Sequence, residues 1–162
     1  MAWEMSDQHT AQALAETSGN ETILLVEDEE VFRLMLVEVL TSQGYTVLEA
    51  GRAASALALA EKAARPIDLL VTDMSMPGMT GWDLAGSLRT KRPGLPVLFI
   101  SGHNERERQS WGRMDPPPEC LFKPFSLEAF LHKARQMLDR EKMSVQPGPL
   151  DKTGAGSPSA VS

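Results

Sequence analysis

Short apolar, β-branched runs alternate with segments of helical periodicity along this chain. That alternation predicts an α/β fold, a parallel sheet covered on both faces by helices. A second observation agrees. The run Leu69-Leu70-Val71-Thr72 stops on a carboxylate, Asp73, and Pro77, Gly78 and Gly81 then force a turn. The third is that four such runs end on polar groups: Glu27-Asp28, Asp73, Ser101 and Lys123. In a parallel α/β sheet, ligands bind at the carboxyl ends of the strands.

A polar lead-in is expected up to about Glu21, with nothing that requires a fold. Ile23-Leu24-Leu25-Val26 reads as a strand buried on both faces. Glu27-Asp28-Glu29-Glu30 then opens a helix, in which Val31, Phe32, Met35, Val39 and Leu40 recur at helical spacing. Acids at a helix N-terminus suit the macrodipole, so capping alone could account for this cluster. Gly44 closes the helix. Thr46 to Ala50 reads as an edge strand. Ala53 to Ala64 is an alanine-rich helix carrying Leu57 and Leu59, ended by Pro66 before the central strand.

Trp82 to Lys91 is the third helix, with Leu84 and Leu88 inward. Arg89, Lys91 and Arg92 are expected on a solvated helix end, where cations suit the dipole. Val97-Leu98-Phe99-Ile100 is a buried strand ending on Ser101-Gly102. A helix follows over Asn104 to Trp111, and Pro116-Pro117-Pro118 is a stiff connector. Cys120-Leu121-Phe122 is the last strand, ending on Lys123. Ser126 caps the final helix, whose apolar face holds Leu127, Phe130, Leu131 and Leu138. The Pro-, Gly- and Ser-rich stretch from about Ser144 reads as disordered. The expected division is a flexible lead-in over 1–20, one domain over 21–140 and a tail over 141–162.

Composition narrows the function. The chain has 162 residues, a net charge of −6 and one cysteine, Cys120. The charge gives no electrostatic case for nucleic acid, and no apolar run approaches membrane-spanning length. A lone cysteine excludes an intrachain disulfide and fits a cytoplasmic setting. The strand ends gather three carboxylates, one hydroxyl and one ammonium. Two carboxylates about 4 Å apart repel by about 4 kcal/mol at an effective dielectric near 20. One lysine cannot offset three acids, so the cluster calls for a divalent cation, and all-oxygen ligands favour Mg²⁺. Asp73 is then the candidate nucleophile for an aspartyl phosphate, with Lys123 and the Ser101 hydroxyl facing the phosphoryl oxygens.

The segments Leu25-Val26-Glu27-Asp28-Glu29, Thr72 to Gly81, Ile100-Ser101-Gly102 and Leu121 to Phe125 resemble the receiver domain of bacterial two-component response regulators. The Ser-Gly-His and Phe-Lys-Pro-Phe segments look most like receivers of hybrid histidine kinases. The resemblance implies a flavodoxin-like, doubly wound sheet of five parallel strands in order 2-1-3-4-5. It implies phosphorylation of Asp73 by a sensor histidine kinase or phosphotransfer protein, and signalling through contacts with a downstream protein. It implies Mg²⁺ on Asp28, Asp73 and the Ser75 carbonyl, with Glu27 assisting. Ser101 and Lys123 take the switch and phosphate-contact roles.

Two departures touch the output surface. Cys120 stands where the family usually has an aromatic ring, and Asn104 to Ser110 has almost no apolar face. That helix is therefore expected to be the least stable part of the domain, and coupling to run through its ordering. Two other classes compete with the phosphoacceptor. A phosphorylation-independent scaffold would be expected to lack an acid or the lysine. An aspartyl-nucleophile phosphatase would carry Asp-x-Asp after its first strand, where this chain has Glu27-Asp28. The protein is not expected to be an enzyme beyond handling its own phosphoryl group.

Overall fold

Five strands form one parallel sheet: β1 (Thr22–Val26), β2 (Thr46–Ala50), β3 (Leu69–Asp73), β4 (Val97–Ser101) and β5 (Glu119–Phe122). They lie in the order β2-β1-β3-β4-β5. The helices are α1 (Glu30–Ser42), α2 (Ala53–Lys62), α3 (Gly81–Lys91) and α4 (Leu127–Val145). The computed structural model describes residues 15–102 and 113–145. The helix expected over Asn104 to Trp111 lies outside those residues, as does most of the expected C-terminal tail.

Strand alternation builds two cores. Ile23, Leu25, Leu69, Val71, Leu98 and Ile100 face Leu36 and Leu40 of α1 and Phe130, Leu131, Ala134 and Leu138 of α4. Leu24, Val26, Leu70, Val97 and Phe99 face Ala53 and Ala56 of α2 and Leu84 and Ala85 of α3. β1, β3 and β4 are buried along their whole length, which is why they read as unbroken apolar runs. β2 is partly exposed along most of its length, as an edge strand is. All five strands run the same way, so the ends of β1, β3, β4 and β5 meet at one edge.

Three expectations need correction. The inward stripe of α1 is set by Leu36 and Leu40, whereas Val31 and Met35 are exposed. Residues 17–20 are not a free lead-in. Thr17 is buried, its hydroxyl donates to Gln43 Oε1 (2.9 Å), and Tyr45 OH donates to its carbonyl (2.6 Å). Glu21 pairs with Arg135 and Lys142, which holds its carboxyl down at about 2. Polar residues can be structural when the partners lie far away in sequence, and local composition does not reveal that. Finally, α4 continues to Val145, beyond the expected boundary at 140.

Caps fix the helices that carry the site. The Thr80 hydroxyl accepts from Asp83 N–H (3.1 Å) and donates to Asp83 Oδ2 (2.9 Å), a reciprocal cap at the start of α3. Ser126 Oγ accepts from Ala129 N–H (3.0 Å) at the start of α4, as expected. Gly81 N–H donates to the Met74 carbonyl (3.0 Å), drawing α3 against the loop after Asp73. A Cβ at Gly81 would sit 2.2 Å from the Asp73 carbonyl oxygen. Backbone cannot swing aside as a flexible side chain does. Gly81→Ala is therefore expected to cost about 2 kcal/mol or more in urea unfolding. Gly86→Ala, at a helix position where a Cβ meets nothing within 4 Å, is expected to stabilise by about 0.5–1 kcal/mol.

Candidate functional site

Glu27 and Asp28 follow β1 and Asp73 closes β3, so two neighbouring parallel strands deliver three acids to one place. A carboxylate oxygen from each lies within 4.8 Å of the other two. Glu27 is only 1% exposed, Asp73 is buried, and Asp28 faces solvent. Lys123, just past β5, reaches in with Nζ 3.5 Å from Glu27 Oε2 and 3.7 Å from Asp73 Oδ2. Those are ion-pair distances, beyond ordinary hydrogen bonds to an ammonium.

Backbone donors hold the acids. Glu29 N–H donates to Glu27 Oε1 (3.1 Å), and Ser75 N–H donates to Asp73 Oδ1 (3.0 Å). The Ser75 contact bends the loop back over Asp73 and places Ser75 beside the carboxylate. Glu27 Oε2 is buried and accepts no hydrogen bond. Burial, joined by the charges of Asp73 and Asp28, pushes the Glu27 carboxyl up to about 7, against the Glu29 N–H and Lys123. Burial also raises Asp73, opposed by the Ser75 N–H and Lys123. An orphaned buried oxygen among three carboxylates is a donor set for a hard divalent cation. The residues present thus fit such an ion.

Ser101 closes β4, is buried, and accepts Lys123 N–H on its carbonyl (2.8 Å). The backbone thereby ties the hydroxyl-bearing residue to the lysine. All the residues expected from sequence — Glu27, Asp28, Asp73, Ser75, Ser101 and Lys123 — belong to this edge of the sheet. Two supporting residues were not foreseen. Lys123 Nζ lies 4.5 Å from the centroid of the Phe32 ring, which meets Phe125 edge-on at 5.8 Å. A cation over an aromatic face gains about 0.5–2 kcal/mol, so Phe32 helps hold the ammonium in place. The Arg33 guanidinium donates to the Glu27 carbonyl (2.8 Å) and pins the turn that carries the acids. Both sit on the first turn of α1, where periodicity reads Phe32 as core and Arg33 as surface. Only the position of Lys123, 91 residues later by number, gives Phe32 this role, while Arg33 takes its own from the Glu27 carbonyl six residues before it.

Comparison with known proteins agrees with this geometry. Residues 23–145 match the response regulator receiver domain. The sensor kinase CckA of Brucella abortus is 37% identical over 124 residues, covering 76% of this chain; the chain spans 13% of that kinase's length. The crystal structure of the receiver domain from the hybrid histidine kinase CckA superposes with a TM-score of 0.62 at 35% identity, covering 72% of this chain and 98% of that one. The response regulator protein TrrA of Thermotoga maritima, solved in complex with Mg²⁺–BeF, gives 0.63 at 25% identity, again covering 72% and 98%. Sequence and fold together place this chain in the response regulator receiver domain family of two-component systems.

Proposed function

We propose that this receiver accepts a phosphoryl group on Asp73 from a sensor histidine kinase or a phosphotransfer protein, and signals through contacts with a downstream protein. The observation that carries the reading is the meeting of Asp73, Glu27, Asp28 and Lys123, with the Lys123 ammonium at ion-pair distance from Glu27 Oε2 but no hydrogen bond to that oxygen. Asp73 lies at the carboxyl end of the central strand, with Oδ1 held by the Ser75 N–H. Its other oxygen is then the nucleophile. It forms the new oxygen–phosphorus bond as the phosphorus–nitrogen bond to a donor imidazole breaks, and the imidazole leaves with that electron pair. The Lys123 ammonium neutralises charge on the phosphoryl oxygens. The Ser101 hydroxyl donates to one of them. Mg²⁺, held by Asp28, Asp73 and the Ser75 carbonyl with Glu27 assisting, would supply the remaining positive charge.

A protein phosphodonor suits the rim of the site. Val31, Leu34 and Met35 stand exposed at i, i+3 and i+4 spacing at the start of α1, directly after the acidic turn. Exposed apolar residues grouped in this way favour a protein partner. The net charge of −6 favours neither nucleic acid nor an anionic membrane surface. No helix among the described residues is long and apolar enough to cross a membrane. We place the protein in the cytoplasm, where a lone thiol stays reduced. A scaffold independent of phosphorylation would have no need for three acids and a lysine held at these distances. The domain is proposed to extend over about 17–145, from the packed Thr17 to the end of α4 at Val145.

Incubation with Mg²⁺ and acetyl phosphate is expected to place one phosphoryl group on Asp73, located by mass spectrometry of trapped peptides. Asp73→Asn should remove the label; labelling equal to the parent would sink the assignment. The metal roles divide by exposure. Trp82 packs on Phe99 with ring centroids 5.8 Å apart, just past the Asp73 loop, and reports binding by fluorescence. Asp28→Ala is expected to weaken Mg²⁺ by about 100-fold and Glu27→Gln by about tenfold. Equal losses would count against this division.

A further inference from the structure

Alanine leaves a gap where a larger residue would close one. Ala60 on α2, with Ala63 and Ala64 just past its end, borders a cavity of about 590 Å³ between α2 and α3. The cavity lies at the amino-terminal edge of the sheet, opposite Asp73. Ile67 and Leu95, just before β3 and β4, line it together with Leu57 of α2 and Leu88 of α3. Leu57 and Leu88 are only partly buried, so apolar surface faces the opening. The volume lies within the usual range for small-molecule pockets, which are mostly apolar with a few placed polar groups.

The charges around this cavity are unequal. Arg65, Lys91 and Arg92 line it against one acid, Glu61. Arg92 is taken by Glu141 of α4. Lys91 Nζ lies 3.7 Å from Glu61 Oε1, with both side chains well exposed. An exposed pair of this kind contributes little and yields readily to another anion. Arg65 is exposed and makes no ion pair among the described residues. Arg89, expected beside Lys91 on a solvated helix end, turns inward instead. It is only 8% exposed, its Nε–H donates to the Leu95 carbonyl (3.0 Å) and Nη1 donates to the Pro116 carbonyl (2.6 Å). Those bonds hold the loop that brings Leu95 to the cavity. The helix dipole accounts for Lys91 and Arg92 at the end of α3, but not for the apolar hollow beside them. An excess of accessible cations over an apolar pocket, in a chain of net charge −6, selects an anion with an apolar body.

We propose that this cavity binds an amphiphilic monocarboxylate, a fatty-acid-like or aryl acid whose single carboxylate is held by Lys91 and Arg65. The apolar body lies on Leu57, Ile67, Leu88 and Leu95. The carboxylate takes the place that Glu61 holds beside Lys91, and the methylene stems of Lys91 and Arg65 cover the body from water.

The test uses the full chain without Mg²⁺ or phosphodonor, so its outcome is independent of Asp73 chemistry. Octanoate, octan-1-ol and acetate are titrated at constant ionic strength, with octanoate well below its micelle-forming concentration. The readouts are the methyl resonances of Leu57, Ile67, Leu88 and Leu95 in two-dimensional NMR spectra. Val31 and Leu34, exposed on α1, are the controls. Octanoate is expected to shift the cavity methyls saturably with a Kd of about 0.1–1 mM. Octan-1-ol should bind about fivefold more weakly, and acetate should not bind. Replacing both exposed cations, Arg65→Gln with Lys91→Gln, should weaken octanoate by about fivefold and leave octan-1-ol unchanged. Ala60→Leu should fill the cavity and weaken both by about tenfold. No saturable shift with octanoate, octan-1-ol binding as tightly, equal shifts at Val31 and Leu34, or undiminished octanoate binding in the double variant would overturn the proposal.

Discussion

A carboxylate buried beside two others is the constraint on which this domain depends. Glu27 is almost wholly enclosed, and Asp73 and Asp28 lie within 4.8 Å. Like charges at that separation repel, and burial strengthens the repulsion by removing water. The fold answers with one ammonium and two backbone N–H groups, from Glu29 and Ser75. Those contacts leave Glu27 Oε2 unsatisfied and its carboxyl titrating near neutrality. A divalent cation completes this arrangement chemically, and a phosphoryl group brings oxygens that the same positive charges can hold. Much of the surrounding structure serves to keep these groups in place. Arg33 fixes the turn, Phe32 supports Lys123, and Gly81 lets α3 close against the Asp73 carbonyl.

The two edges of the sheet differ in kind, and α3 touches both. Its first turn is capped by Thr80 and drawn onto the loop after Asp73, while its last turn carries Arg89 into the opposite edge. One edge therefore concentrates negative charge, and at the other Arg89 is buried with no acid at ion-pair distance among the described residues. Both lie where strands end, since there the backbone stops pairing and side chains can converge.

The three inner strands β1, β3 and β4 were legible because each is buried on both faces, and such a strand writes itself as an unbroken apolar run. The site was legible for a related reason. Glu27-Asp28, Asp73, Ser101 and Lys123 sit directly at the ends of those runs, so parallel topology alone brings them together. Residues whose roles depend on distant partners were not legible. Thr17 and Glu21 look like surface until Gln43, Tyr45 and Arg135 pack against them. Arg89 looks like a solvated helix end until Leu95 and Pro116 fold over it. On α1, Val31 and Met35 share the spacing of the buried residues yet face outward, because a helical period fixes an apolar stripe without fixing its centre. Leu36 and Leu40 mark the true one.

The central claim, that buried charge at Glu27 awaits a cation, has a direct thermodynamic signature. With its carboxyl raised from 4.5 to about 7 on folding, the native state keeps a proton that the unfolded chain has already released. The stabilisation this gives is complete below about 4.5 and is lost as pH rises through 7. Urea unfolding of the metal-free protein, compared with Glu27→Gln from pH 5 to pH 8, measures it. The parent should lose about 2.5 kcal/mol relative to the variant across that range, and Mg²⁺ should restore the parent far more at pH 8 than at pH 5. Parallel pH profiles for parent and variant, or an equal effect of Mg²⁺ at both pH values, would contradict the account.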